Sequence, residues 1–146
     1  MSAGTAGKLY TPAMLSLATE LAHFPLIGDW PHKASSRSRT CGSTVELGLR
    51  LADDGTVDAI GLKISACAIG QASAALLAKS ISGKAAPEVL AARNAIEAWL
   101  ASKDPLPDWP GLELIEAARD SKGRHGALLL SWNAAAEALS LAQASS

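Results

Sequence analysis

The chain has two thiols, Cys41 and Cys67, and among its three imidazoles His125 stands at the start of a patterned segment. Thiolate and imidazole are the donors that zinc, iron and iron-sulfur clusters favour. Cys67 lies in the stretch 64–77, where an alternating strand pattern ends and a small-residue helix begins. A thiol in the first turn of a helix faces unpaired backbone N–H groups and the positive end of the helix dipole, and both favour the thiolate that binds metals or accepts sulfur. Each residue also has a plain structural use. An isolated cysteine in an Ala-rich segment packs as a small apolar side chain, and a histidine at a helix start serves as a hydrogen-bonded structural residue.

The elements that must position these groups can be read from periodicity. Thr11-Pro12 reads as an N-cap and first helical position, followed by Met14, Leu15, Ala18 and Leu21 at helical spacing. His23, Pro25, Gly28 and Pro31 close that helix, and the polar stretch from His32 to Arg39 gives a weak strand signal. Val45, Leu47, Leu49 and Leu51 alternate with polar residues and Gly48, Asp53-Asp54-Gly55 is a tight turn, and Ile60, Leu62 and Ile64 alternate on the return. This hairpin puts Cys41 ahead of one strand and Cys67 beyond the other, so an antiparallel pair brings both thiols to one end.

Ile69, Ala72, Leu76 and Ile81 predict a helix after Cys67 that stops near Ser82-Gly83. Pro87 opens another, with Val89, Ala92, Ile96, Trp99 and Leu100 inward. The run from Asp104 to Gly111 is too proline-rich for a helix or an inner strand. Leu112, Ile115 and Arg119 form a short helical pattern before the turn Asp120-Ser121-Lys122-Gly123. The last helix carries His125, Leu129, Trp132, Ala136 and Leu139 as one stripe. Strands followed by helices predict an α+β fold with helices on one face of the sheet.

At 146 residues the chain fits a single domain, 1–146, with 1–8 and 143–146 expected as flexible tails. Aromatics are only 4% against 49% apolar residues overall, so the core must be built from Ala, Leu, Ile and Val. A net charge of -1 gives no bulk attraction to nucleic acid or anionic lipid. Two cysteines make no disulfide framework, no secretory signal or membrane span is read, and the expected location is a reducing cytoplasm. There is no Ser/His/Asp array, phosphate-cradling Gly-rich loop or pair of carboxylates at catalytic spacing, which argues against an enzyme.

In order and spacing, Tyr10 and its helix, Cys41-Gly42, the hairpin, Cys67-x4-Ala72-Ser73 and Arg124-His125 at the last helix resemble the NifU/IscU-type scaffold proteins of iron-sulfur cluster assembly. The resemblance runs from about Leu9 to Leu139. It implies a small three-stranded antiparallel sheet with helices packed on one face. It also implies that Cys41, Cys67 and His125 bind a labile iron-sulfur cluster, iron or zinc, and that the partners are a cysteine desulfurase and cluster-accepting proteins. Oligomeric state is left open.

This chain departs from the family pattern in chemically meaningful places. The family aspartate follows Cys-Gly, where Ser43 stands, and the third cysteine follows the histidine, where Gly126 stands. The Leu-Pro-Pro-Val-Lys segment that a chaperone recognises in some members is replaced by residues 121–124. Structural zinc and [2Fe-2S] clusters want four ligands, and three remain. A thiol, a water or a second protomer would complete the set, and the site is expected to be weaker and more open. Lys122, Arg124 and Arg39 either favour the thiolates or form an ordinary solvated surface. Two further readings stay beside the scaffold: an adaptor that docks on a desulfurase without a cluster, and a sulfur acceptor carrying a persulfide on Cys67 or Cys41.

Overall fold

The computed structural model describes residues 9–39, 42–102 and 104–144. Helix α1 spans Pro12–Thr19; the Thr11 hydroxyl accepts the Met14 N–H at 3.1 Å, and Pro12 sits where no N–H is needed. A 3-10 turn, Glu20–His23, prolongs it. Met14 and Leu17 form its buried side, whereas Leu15, read as part of the apolar spacing, is 44% exposed.

Strands β1 (His32–Arg37), β2 (Thr44–Leu51) and β3 (Val57–Ser65) form an antiparallel sheet in the order β1-β2-β3. Arg37 pairs with Thr44, and Thr44 pairs with Ser65. Cross-strand partners share a face, so Val45, Leu47 and Leu49 stand with Ile64, Leu62 and Ile60 on the inner side. On β1 the corresponding residues are Ser36, Ala34 and His32. Those small or polar inner residues explain the faint strand signal there.

The outer face has a cover of its own. Gly48 lies opposite Gly61, and the Trp30 indole rests on both. A Cβ at Gly48 would fall 2.5 Å from Trp30 Cγ, and one at Gly61 would fall 2.6 Å from Trp30 Cζ2. The Leu62 N–H donates to the Phe24 carbonyl at 2.8 Å, and the Arg50 guanidinium lies 4.9 Å from the Trp30 ring centroid.

Helix α2 (Ala68–Ser80) is buried without interruption from Ala72 to Ala78, so it is a central helix rather than a surface one. Helix α3 spans Ala86–Ala101, and Val89, Ile96, Trp99 and Leu100 point inward as their spacing predicts. Leu112–Asp120 is a 3-10 segment anchored by Leu112, Ile115 and Ala118. A 3-10 turn, Lys122–Arg124, leads into helix α4 (His125–Ala144), which packs on β1, β2, α2 and α3. Because neighbours surround α4, its burial is broader than one stripe: Ala127, Leu128, Leu130, Ala134, Ala135 and Ala138 are buried, while Leu129 and Ala136 are half-buried. The C-terminal tail expected from 143 is helical as far as Ala144. The tail expected at 1–8 lies outside the described residues.

Candidate functional site

Cys67 is the N-cap of α2, with an extended backbone (φ -65, ψ 171) and no capping hydrogen bond from its side chain. It is half-buried and in no disulfide. Its carbonyl accepts the Gln71 N–H at 3.0 Å, and the Gln71 side chain donates to the Ala66 carbonyl at 2.9 Å. The peptides on both sides of the thiol are therefore fixed by the first turn of the helix, while the sulfur is left out of the cap.

Cys41 lies outside the described residues, but the backbone flanking it is placed. The Ser38 N–H donates to the Ser43 carbonyl at 2.8 Å, and the Gly42 N–H donates to the Ser38 carbonyl at 3.1 Å. Thr44, which follows, pairs with Ser65, two residues before Cys67. The loop between β1 and β2 thus leaves the sheet at the end where α2 begins. Ser43, which the resemblance sets at the place of an aspartate, is buried at 6% exposure.

His125 opens α4 and is half-buried, with Nε2 2.7 Å from the Arg119 carbonyl oxygen. Its helix is tied to that of Cys67 by a buried polar relay. The Trp132 indole N–H donates to Ser73 Oγ at 2.9 Å, and the Ser73 hydroxyl donates to the Leu128 carbonyl at 2.7 Å. One turn earlier, a Cβ on Gly70 would lie 3.2 Å from the Ala127 carbonyl oxygen and 3.3 Å from Ala127 Cβ. Residues 70 and 73 of α2 therefore meet 127, 128 and 132 of α4 in the same sequence direction. The two helices run parallel, and their N-termini stand together at one end of the sheet.

Around this end the cations are not equivalent. The Arg124 guanidinium lies over the Tyr10 ring at 5.4 Å from its centroid, whereas Arg39 and Lys122 are exposed. The Tyr10 contact also brings the start of α1 here. Among the described residues, no three His, Cys, Asp or Glu side chains gather as a metal site. Cys67 and His125 are the candidate donors described at this end, and Gly126 supplies no side-chain donor.

Sequence reading singled out Cys67 and His125 but missed what sets the starts of their helices side by side. Ser73 entered it only as part of a motif, and its hydroxyl proves to join α2 to α4. Gly70 left a signal, a glycine in the first turn of an Ala-rich helix, where close backbone approach is the usual reason. The Arg119 carbonyl left none, because every residue has one.

No protein-family model and no curated protein matches the sequence. Solved structures do. A nitrogen-fixing NifU-like protein (N-terminal) from Brucella abortus has a TM-score of 0.90 at 29% identity, covering 97% of this chain and 99% of that one. A protein assigned as an iron-sulfur cluster assembly scaffold for the SUF system, from the thermophilic Fervidobacterium islandicum AW-1, has a TM-score of 0.79 at 21% identity over 91% and 98% of the two chains. At that identity the second likeness is one of fold alone.

Proposed function

We propose that this chain, a NifU/IscU-type domain by its fold, is a scaffold or carrier in iron-sulfur cluster assembly that holds a labile cluster, iron or zinc through Cys41, Cys67 and His125. The observation that carries this reading is the parallel start of α2 and α4 at the sheet end from which the Cys41 loop departs. Two thiolates and an imidazole are soft and borderline donors suited to iron and zinc, and three of them leave a fourth position open. An open position suits a cargo that must leave again. By family likeness the partners are a cysteine desulfurase that supplies sulfur and proteins that accept the cluster, and the chain performs no turnover by itself.

The test is anaerobic reconstitution with iron and sulfide, followed by zinc uptake, on the wild type and on Cys41→Ser, Cys67→Ser and His125→Ala. Cluster absorption or stoichiometric zinc in the wild type, lost in each variant, supports the reading. Neither cluster nor zinc in a folded wild type rejects it.

A second reading has one observation in its favour: the Cys67 side chain makes no capping hydrogen bond in a half-buried, helix-starting position. As a sulfur acceptor, the Cys67 thiolate would attack the outer sulfur of a desulfurase persulfide. The new S–S bond would form on Cys67 while the desulfurase cysteine leaves as thiolate. A mass gain of one sulfur atom on Cys67 in a metal-free protein, after incubation with desulfurase and cysteine, selects this reading. A desulfurase complex that survives Cys41→Ser/Cys67→Ser selects the adaptor.

A further inference from the structure

A backbone carbonyl can only accept a hydrogen bond, so the 2.7 Å contact between His125 Nε2 and the Arg119 oxygen requires the proton on Nε2. In the neutral ring that leaves Nδ1 with its lone pair available. The Arg119 side chain ties the backbone that carries this carbonyl to the end of α3. Its guanidinium donates to the carbonyl of Ser102, the C-cap of α3, where helix carbonyls lack intrahelical partners and the dipole is negative.

Ser102 is itself fixed. Its N–H donates to the Ala98 carbonyl at 3.0 Å, and its hydroxyl donates to the same oxygen at 2.8 Å. On the inner side of the 3-10 segment, Ile115 and Ala118 are buried. Beyond it, the Ser121 N–H donates to Ala118 and the Arg124 N–H to Ser121, which carries the chain directly into His125.

The geometry points to Arg119 as a positioning residue: clamped to the end of α3, it presents the carbonyl that fixes the Nε2–H tautomer of His125 and makes Nδ1 the donor atom toward zinc, iron or a cluster. This rests on the metal-binding reading above. It concerns which nitrogen is offered and what sets it. Second-layer partners of this kind are commonly worth 10–100-fold in metal affinity.

Long-range 1H–15N spectra of the full, zinc-free chain at about pH 8, above the ordinary imidazole range, read the tautomer without any metal. A single Nε2–H form is expected in the wild type, and added zinc is expected to shift Nδ1. In Arg119→Ala the tautomers are expected to mix and zinc affinity to fall roughly 10-fold, with partial recovery in Arg119→Lys, which keeps one donor for the Ser102 carbonyl. A wild type that binds zinc while carrying Nδ1–H overturns the proposal and leaves the metal-binding reading intact. A wild type with Nε2–H that takes up neither zinc nor cluster overturns that reading, while a tautomer lost in Arg119→Ala still keeps Arg119's control of the ring. Unchanged tautomer and affinity in folded Arg119→Ala also overturn the proposal. If that variant does not fold, the same spectra on Arg119→Lys decide it: a tautomer and zinc affinity identical to the wild type overturn the proposal.

Discussion

By the resemblance to NifU/IscU-type scaffolds, Ser43 and Gly126 stand at the places of an aspartate and a cysteine, and their surroundings give the two restorations different outcomes. Ser43 is buried. A carboxylate there is desolvated, a cost that a bound cation lowers. Ser43→Asp is therefore expected to melt below the wild type in chelator and to regain more on zinc addition than the wild type gains, as read by thermal unfolding in both conditions. Gly126 lies half-buried in the first turn of α4, so Gly126→Cys is expected to raise zinc affinity directly, measured by chelator competition. Far from this end, Asp54 accepts hydrogen bonds from the Thr56 hydroxyl at 2.7 Å and the Thr56 N–H at 3.0 Å, which hold its carboxyl below the usual carboxylate value. A depressed carboxylate stabilises the fold at pH above its unfolded value, and that contribution is lost as pH falls through the lower folded one. An NMR titration is expected to find Asp54 low in the wild type and nearer the ordinary value in Thr56→Ala.

Two element contacts carry the geometry of the site, and both can be tested by adding or removing a few atoms. Ser73→Ala leaves the Trp132 indole N–H buried without its partner. A loss of about 1–3 kcal/mol is expected in chemical denaturation, with weaker zinc binding because α2 and α4 are no longer pinned. Gly70→Ala sets two effects against each other. Alanine favours the helix by about 1 kcal/mol, but its Cβ would sit 2.8 Å from Ala66 Cβ and 3.2 Å from the Ala127 carbonyl. Overpacking of that kind costs about 1–3 kcal/mol, so net destabilisation and lower zinc affinity are expected together. On the outer face, Gly48→Ala and Gly61→Ala would drive a methyl into Trp30. Each is expected to cost about 1–3 kcal/mol and expose the indole, seen as a red shift of tryptophan emission, while zinc affinity changes little.

At the scale of the molecule, the proposed donors Cys67 and His125 begin the two helices at the centre of the core, so metal binding through them would be coupled to global unfolding. For a site saturated at 100 times its Kd, linkage adds about 2.7 kcal/mol, which for a domain of this size is a rise in Tm of roughly 5–10 °C. Calorimetry with and without zinc measures it; an unchanged Tm in protein shown to hold zinc would mean that the site opens without the core. The hairpin, the helix starts at Pro12 and after Cys67, and the inward faces of α3 were legible from residue order, because alternation, turn chemistry and helical spacing are local properties. Cys41, Cys67 and His125 could be singled out as candidate donors for the same reason: thiol and imidazole chemistry belongs to the residue type. Tertiary structure decided the rest. β1 became a strand through its pairing with β2, although its own inner residues are His32, Ala34 and Ser36, and α4 became buried on several sides because sheet and helices close around it. Only packing decided that Cys67 and His125 begin neighbouring helices, since that depends on Gly70 and Ser73 meeting residues more than fifty positions away. The Arg119 carbonyl became a partner of His125 by position alone, through atoms that every residue carries and no sequence distinguishes.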